Sequence, residues 1–413
     1  MQMKRYLSAA LCCAILISIL GGCAQDANPS EVPSSTPAST SSSQNAASTG
    51  SETEAATTAP AFTTRRVTQT LDCGVQIDAE VVLPENLDYT RLPTDSGTLE
   101  HLTADAFQQA VLGGKSVTAQ DQQTVAGYRL PSETYQLWEY GDGSTLMCSE
   151  ESLVYTTQLS GLALSCFNDG EKGSADYNAD RYLSDADFDF APAEQCLSQV
   201  KDLLAALDIP VTENVICYRL DHATMNAVMQ EQGLAELMVM ANPDLDASSD
   251  FAFTAEDDCY YFVFQLSVGG FPATEEVTGS SANGSVTPGS TVRVLYSKDG
   301  VSYLNVSGVY QTEAATGDNA GYDLDGALGL LNTRFSSMLL EDSYRVTDIA
   351  FEYVPQIQSD LEHVTFIPAW RFTVQNSVEV TGKSDPNQTD SIDTFETIFF
   401  DAISGKELLR DIE

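Results

Sequence analysis

Val364-Thr365-Phe366-Ile367-Pro368-Ala369-Trp370-Arg371-Phe372-Thr373-Val374 decides how this chain folds. Counting by twos places Val364, Phe366, Pro368, Trp370, Phe372 and Val374 on one face, the period of a strand with one side in a core. Trp370 is therefore expected to be buried, against a helix carrying Leu331 and Phe335. Pro368 has no N–H to give to a ladder, so the strand is expected to lie at a sheet edge or to bulge there.

Working outward, Ala327, Leu328, Leu331, Phe335, Met338 and Leu339 recur at helical steps just upstream, and Tyr344 to Val354 and Phe395 to Ala402 read as strands on either side. The same plan occurs earlier. After Pro192, the residues Ala193, Cys196, Leu197, Val200, Leu203, Leu204 and Leu207 form one helix face. Strand-like Val215 to Leu220 follows, then a helical patch with Asp221 as N-cap and Met225, Val228 and Met229 on one side. Tyr260 to Val268 is aromatic and β-branched, and Val292 to Tyr296 turns at Asp299-Gly300 and returns through Tyr303 to Tyr310 as a hairpin. Helix followed by antiparallel strands, twice, predicts an α+β fold in which each sheet wraps one helix.

Before these units, Val75, Ile77, Ala79 and Val81 alternate as a strand that ends at Pro84. Asp105 to Leu112 suits a short helix. Tyr135 to Tyr140, Gly141-Asp142-Gly143 and Thr145 to Cys148 read as a hairpin, and Leu153 to Thr157 as another strand. Asp169 to Asp189 reads as a polar loop. The expected segments are a β-rich region at 65–190, a first helix-plus-sheet module at 191–320 and a second at 321–413.

Ile367-Pro368-Ala369-Trp370 and Phe400-Asp401-Ala402-Ile403-Ser404-Gly405-Lys406 resemble the end of PepSY-like and YycI-type modules of bacterial envelope proteins. The resemblance covers 321–413 moderately, 191–320 loosely and 65–190 hardly at all. It implies tandem helix-plus-antiparallel-sheet modules. It also implies a regulatory or binding role, since YycI-type proteins partner a membrane sensor kinase and PepSY modules are associated with holding peptidases inactive. For the matching residues the physical expectation is structural: Pro368 and Trp370 shape a core strand, while Asp401 and Gly405 shape a strand end and its turn.

At the other terminus, Lys4 and Arg5 precede an uncharged run from Leu7 to Gly22, and Leu20-Gly21-Gly22-Cys23 is a lipobox. Residues 1–22 are expected to be a lipoprotein signal peptide. Cys23 is expected to carry a diacylglyceryl group that holds the mature chain on the extracytoplasmic face of the bacterial cell membrane. The apolar run is shorter than the roughly 20 residues of a spanning helix. Residues 23–64, rich in Ser, Thr, Ala and Pro, are expected to be a disordered tether with a root-mean-square span of roughly 35 Å.

Sixty acidic residues against nineteen basic ones give a net charge of −41, and loss of the signal with its two basic residues makes the mature chain more negative still. Such a surface repels polyanions, so nucleic acid is excluded as a partner and anionic lipid gives no attraction beyond the anchor. Cys73, Cys148, Cys166, Cys196, Cys217 and Cys259 remain after processing. They show no C-x-x-C pair, leaving disulfides and buried free thiols both open.

His101, His222 and His363 form no H-E-x-x-H pair, and neither a nucleophile elbow nor a phosphate-binding glycine loop is present. Asp185, Asp187 and Asp189 are spaced like a calcium loop, but Phe190 stands where that loop needs Gly and Cys196 where it needs Glu. Asn242, Asp244, Asp246 and Asp250 read the same way, as solvated loop. No metal or cofactor is expected. The functional expectation is a non-enzymatic envelope lipoprotein that binds a protein or peptide. The alternative is a substrate-binding lipoprotein for an importer, a class usually built from two parallel-sheet lobes.

Overall fold

The computed structural model describes residues 62–408 except 86, 126–132, 171, 173, 175, 242–250, 277, 281–284, 288, 314–315, 339–342, 359, 361 and 382–388. The lipobox Leu20, Gly21, Gly22 and Cys23, nearly all of the expected tether, and Asn242, Asp244, Asp246 and Asp250 lie outside the described residues. Among those described, no helix is long and apolar enough to cross a membrane.

The chain is a mixed α+β fold, mostly strand. Strands β1 (Phe62–Thr70), β2 (Gln76–Pro84) and β3 (Leu92–Leu99) come first. Helix α1 (Ala104–Ala110) precedes β4 (Val117–Val125), β5 (Glu133–Tyr140), β6 (Thr145–Cys148) and β7 (Ser152–Thr156). Helices α2 (Gln158–Ser165) and α3 (Ala193–Ala206) lead to β8 (Val211–Leu220), α4 (His222–Glu231) and α5 (Leu234–Ala241). Then come β9 (Cys259–Val268), β10 (Phe271–Pro272), β11 (Thr278–Ser280), β12 (Ser285–Thr287), β13 (Thr291–Ser297) and β14 (Gly300–Ser307). The last part holds β15 (Tyr310–Thr312), β16 (Thr316–Asn319), α6 (Leu324–Ser336), β17 (Ser343–Ile357), β18 (His363–Thr381), β19 (Thr389–Asp401) and β20 (Glu407–Leu408).

These strands build two large sheets and a separate two-stranded ladder, β11 with β12. The first runs β1-β2-β17-β18-β19-β20, with β3 also on β18 and β15 and β16 on β3. The second runs β10-β9-β13-β14-β7-β6-β5-β4, with β8 on the other side of β9. Residues 65–190 thus make no sheet of their own. The first three strands join the C-terminal sheet and the next four join the middle one. In particular β2 lies parallel to β17, pairing Ile77 with Val346 and Val81 with Ile349. Both members of each pair are buried in one core with Leu331, Phe335, Trp370 and Phe372, under α6. A parallel partner needs a long crossover, so its identity is set by shape across the whole chain and not by local pattern.

The helices follow the apolar spacing. Cys196, Val200 and Leu204 are the buried stripe of α3. Asp323 caps α6 by accepting from the Gly326 N–H, and Ala327, Leu328, Leu331 and Phe335 face inward. Asp221 caps α4 in the same way through the Thr224 N–H. Two helices gave no clear periodic signal. One is α2, whose Thr157 and Ser160 form a capping box without the usual Glu or Gln. The other is the short, apolar α5.

Strand β18 corrects the edge expectation at Pro368. It is central, with β17 along one side for its length, while its other side pairs with β3 at residues 363–366 and with β19 from Ala369 onward. Pro368 falls in the seam between those two partners. Its carbonyl accepts from the Ala402 N–H at 2.8 Å, so its nitrogen faces the same seam, where no ladder donor is required. Opposite Val364, Gly97 of β3 admits close approach, since a Cβ there would collide with the Gln311 carbonyl.

Trp370 is fully buried, stacked on Tyr89 and edge-on to Phe351, and its indole N–H donates to the Tyr322 carbonyl at 2.9 Å. Truncation removes both the burial and that bond. Trp370→Ala should destabilise the chain by about 3–5 kcal/mol and Trp370→Phe by clearly less, measured by denaturant unfolding. An unchanged midpoint in the alanine variant would contradict this packing. A fragment of residues 321–413 lacks β2 and β3, and it should show no cooperative unfolding transition.

Candidate functional site

The two large sheets are stitched together by residues 271–274. Phe271 and Pro272 pair with β9, the Ala273 N–H donates to Leu266, and the Thr274 N–H donates across to Tyr353 of β17, both at 2.9 Å. On one side of this stitch the sheets diverge and enclose a cleft of about 800 Å³. One wall is the face of β2, β17 and β18 opposite α6. The other is formed by Ile216, Tyr218, Val263, Gln265 and Arg293 of the second sheet, joined by Asp169, Gly170, Lys172 and Tyr177.

Charges line this cleft in an ordered way. Arg371 rises from β18 between two carboxylates of β17, with Asp348 at 2.8 Å and Glu352 at 3.1 Å, and donates to the Thr373 hydroxyl at 3.0 Å. Arg293 from β13 is 3.2 Å from Asp169 of the loop and 3.2 Å from Glu275 beside the stitch. Arg66 pairs with Asp78 at 2.7 Å, and Lys172 with Asp180 at 3.0 Å. The two half-buried arginines therefore hold three chain segments in register: the sheet wall, the stitch and the loop.

Burial works against the charge of Arg371 and of Arg293, but surrounding groups outweigh it. Glu352, Asp348 and Glu276 raise the pKa of Arg371, and Tyr261, Glu275 and Asp169 raise that of Arg293. Glu352, only 2% exposed, behaves differently. Burial pushes its carboxyl above the ordinary value of 4.5, against the pull of Arg371 and of the Thr274 hydroxyl. Its contact with Arg371 is an ion pair and not an aligned hydrogen bond.

The sequence signal for this wall was the charge inside Phe351-Glu352-Tyr353 and the Arg371 between Trp370 and Phe372. A charge on an otherwise apolar strand that is buried on both faces needs a partner. The apolar face of the strand alone does not carry that signal.

The residues singled out from sequence lie elsewhere. Pro368 and Trp370 are on the α6 face and at the seam. Asp401 accepts the Ile403 and Ser404 N–H groups at 2.8 and 3.1 Å, closing the turn after β19. Gly405 occupies the left-handed region at φ 71°, and its N–H donates to the Asp401 carbonyl at 2.9 Å. These four residues are structural in their contacts. The histidines are dispersed, each against its own carboxylate: His101 and Glu150 at 3.6 Å, His222 and Asp258 at 2.9 Å, His363 and Asp360 at 2.7 Å. Asp187 accepts the Ala193 N–H at the start of α3, while Phe188 and Phe190 turn inward onto Tyr260. Among the described residues no group of three or more His, Cys, Asp or Glu is arranged to hold a metal ion.

All six described cysteines are free thiols, four buried and two half-buried. Burial pushes Cys148, Cys166 and Cys217 up to about 11, so they act as small apolar side chains.

No protein-family model matches the chain, and no curated protein does. Among solved structures, an uncharacterised protein from Eubacterium rectale ATCC 33656 is similar over 81% of this chain and 90% of its own, at 17% identity and a TM-score of 0.60. That likeness is one of fold. The Bacillus megaterium YpeB C-terminal domain aligns over 75% of this chain and 97% of its own, at 9% identity and a TM-score of 0.22.

Because its folded pKa is raised, Glu352 contributes stability that is complete below the ordinary value and is lost as pH rises through the folded pKa. Glu352→Gln removes that titration. As pH rises above the ordinary value of 4.5, wild type should lose stability relative to the variant, as read by paired denaturant titrations. A difference that does not move with pH would remove Glu352 as the titrating group.

Proposed function

We propose that this chain is an extracytoplasmic lipoprotein, held to the bacterial membrane by a diacylglyceryl group on Cys23, that binds a peptide or a segment of another envelope protein without transforming it. The observation that carries the reading is the inter-sheet cleft. Its two half-buried arginines are already matched to carboxylates, so the walls are held in place before any ligand arrives, and preorganisation of this kind favours recognition. A cleft of about 800 Å³ has room for several residues of extended chain.

We read α3 with β8 and β9, and α6 with β17 to β19, as tandem PepSY-like modules. In each unit a helix precedes the antiparallel strands on which it packs. The acidic surface suits a partner with cationic character and keeps the folded part off anionic lipid.

Cys23→Ala should move the protein from the membrane fraction to the soluble fraction, and a variant retained on membranes would refute the anchor. For the cleft, a photo-crosslinking residue at Ile216, a 44% exposed wall position, should capture a peptide or protein in intact cells. Capture of a small metabolite instead would favour the importer-type binding protein, and absence of any adduct would count against the cleft as the site.

A further inference from the structure

At the open end of the cleft, three side chains form a row across three strands. Arg345 of β17 stands directly opposite Gln375 of β18 and beside Gln76 of β2. Their sequence neighbours Val346, Val374 and Ile77 all point into the core under α6, so the row points the other way, with Arg345 and Gln375 lining the cleft and Gln76 beside Arg345 on the same face. Five cations line the cleft, and Arg66, Lys172, Arg293 and Arg371 are each in an ion pair. Arg345 is exposed and has neither an ion pair nor a side-chain hydrogen bond among the described residues. Gln76 and Gln375 likewise have no side-chain partner there.

We propose that the row Gln76–Arg345–Gln375 is a receptor for the terminal carboxylate of a peptide. Adjacent strands lie about 4.8 Å apart, so one planar guanidinium is flanked by a carboxamide on each side. A carboxylate set over Arg345 takes two guanidinium N–H groups and one amide N–H from each glutamine, which satisfies both oxygens. A cationic ligand gains nothing from this row, since it holds no acceptor charge. The rest of the cleft has the opposite sign. Glu275 and Glu276 line the acidic end at the stitch, level with a point seven positions further along β17 and roughly 20 Å from Arg345 at strand rise. A peptide running from Arg345 toward the stitch would place its carboxylate at the free arginine and its ammonium or a lysine at the acidic end, after about five residues in extended form.

This inference rests on the cleft being the binding site, and the test separates the two claims. The probes are the pentapeptide Lys-Ala-Ala-Ala-Ala as free acid and as C-terminal amide, titrated against the purified protein by calorimetry. The free acid should bind at least tenfold more tightly than the amide, the size expected for a charge-assisted pair. Arg345→Gln should weaken the acid at least tenfold and bring acid and amide level, with an unchanged thermal midpoint because Arg345 supports no other contact. Gln76→Ala and Gln375→Ala should each weaken the acid severalfold. Ile216→Trp, which narrows the cleft at its second wall, should weaken both. If acid and amide bind equally to wild type and both are weakened in Ile216→Trp, the cleft stands and the carboxylate row falls. If the free acid does not bind wild type, the proposal fails outright.

Discussion

A nineteen-residue strand has to serve several partners at once, and the rest of the structure is arranged around how β18 does so. One side belongs to β17. The other is divided between β3 and β19, with Pro368 at the division, where its missing donor costs nothing. Its apolar face is divided too. Val364 and Phe366 pack into the core shared with the second sheet, whereas Trp370, Phe372 and Val374 pack under α6. The polar face carries Arg371 and Thr373 into the cleft. Moving β18 by one residue would exchange these faces and place Arg371 under the helix, so register here is strongly specified.

The charged wall follows from that register. Arg371 can sit half-buried because Asp348 and Glu352 flank its position on β17, on either side of Ala350 opposite it, and Arg293 because the loop and the stitch each bring a carboxylate to it. Removing one partner from such a set would strand a buried charge, which is costly, so these groups define geometry more than they add net stability. What they leave is a cleft with its cations matched except at the open end. Shape and charge of the site are consequences of the sheet, not of a local motif.

That explains which parts were legible in the sequence. Spacing within a dozen residues found α3, α6, the hairpins at Asp142 and Asp299, the cap Asp221, and the burial of Trp370. It did not find β3, whose Leu-Pro-Thr-Asp-Ser-Gly-Thr-Leu is polar or small through its middle, with Asp95 buried and Gly97 required by close contact. Nor did it find β2 beside β17. Those strands are separated by roughly 270 residues, and nothing within either one names the other. The cleft was illegible for the same reason. Gln76, Arg345 and Gln375 are unremarkable singly and acquire meaning only as a row across strands.

The central claim is that N-terminal β2 and C-terminal β17 and β18 form one cooperative sheet whose polar face is the cleft wall. Native-state hydrogen exchange tests it most directly. If they do, the ladder amides of Ile77 to Val82 should open with the same free energy, and the same denaturant dependence, as those of Val346 to Val354. Early exchange of Ile77 to Val82 while Val346 to Val354 stay protected would contradict the shared sheet, and with it the wall on which the proposed site stands.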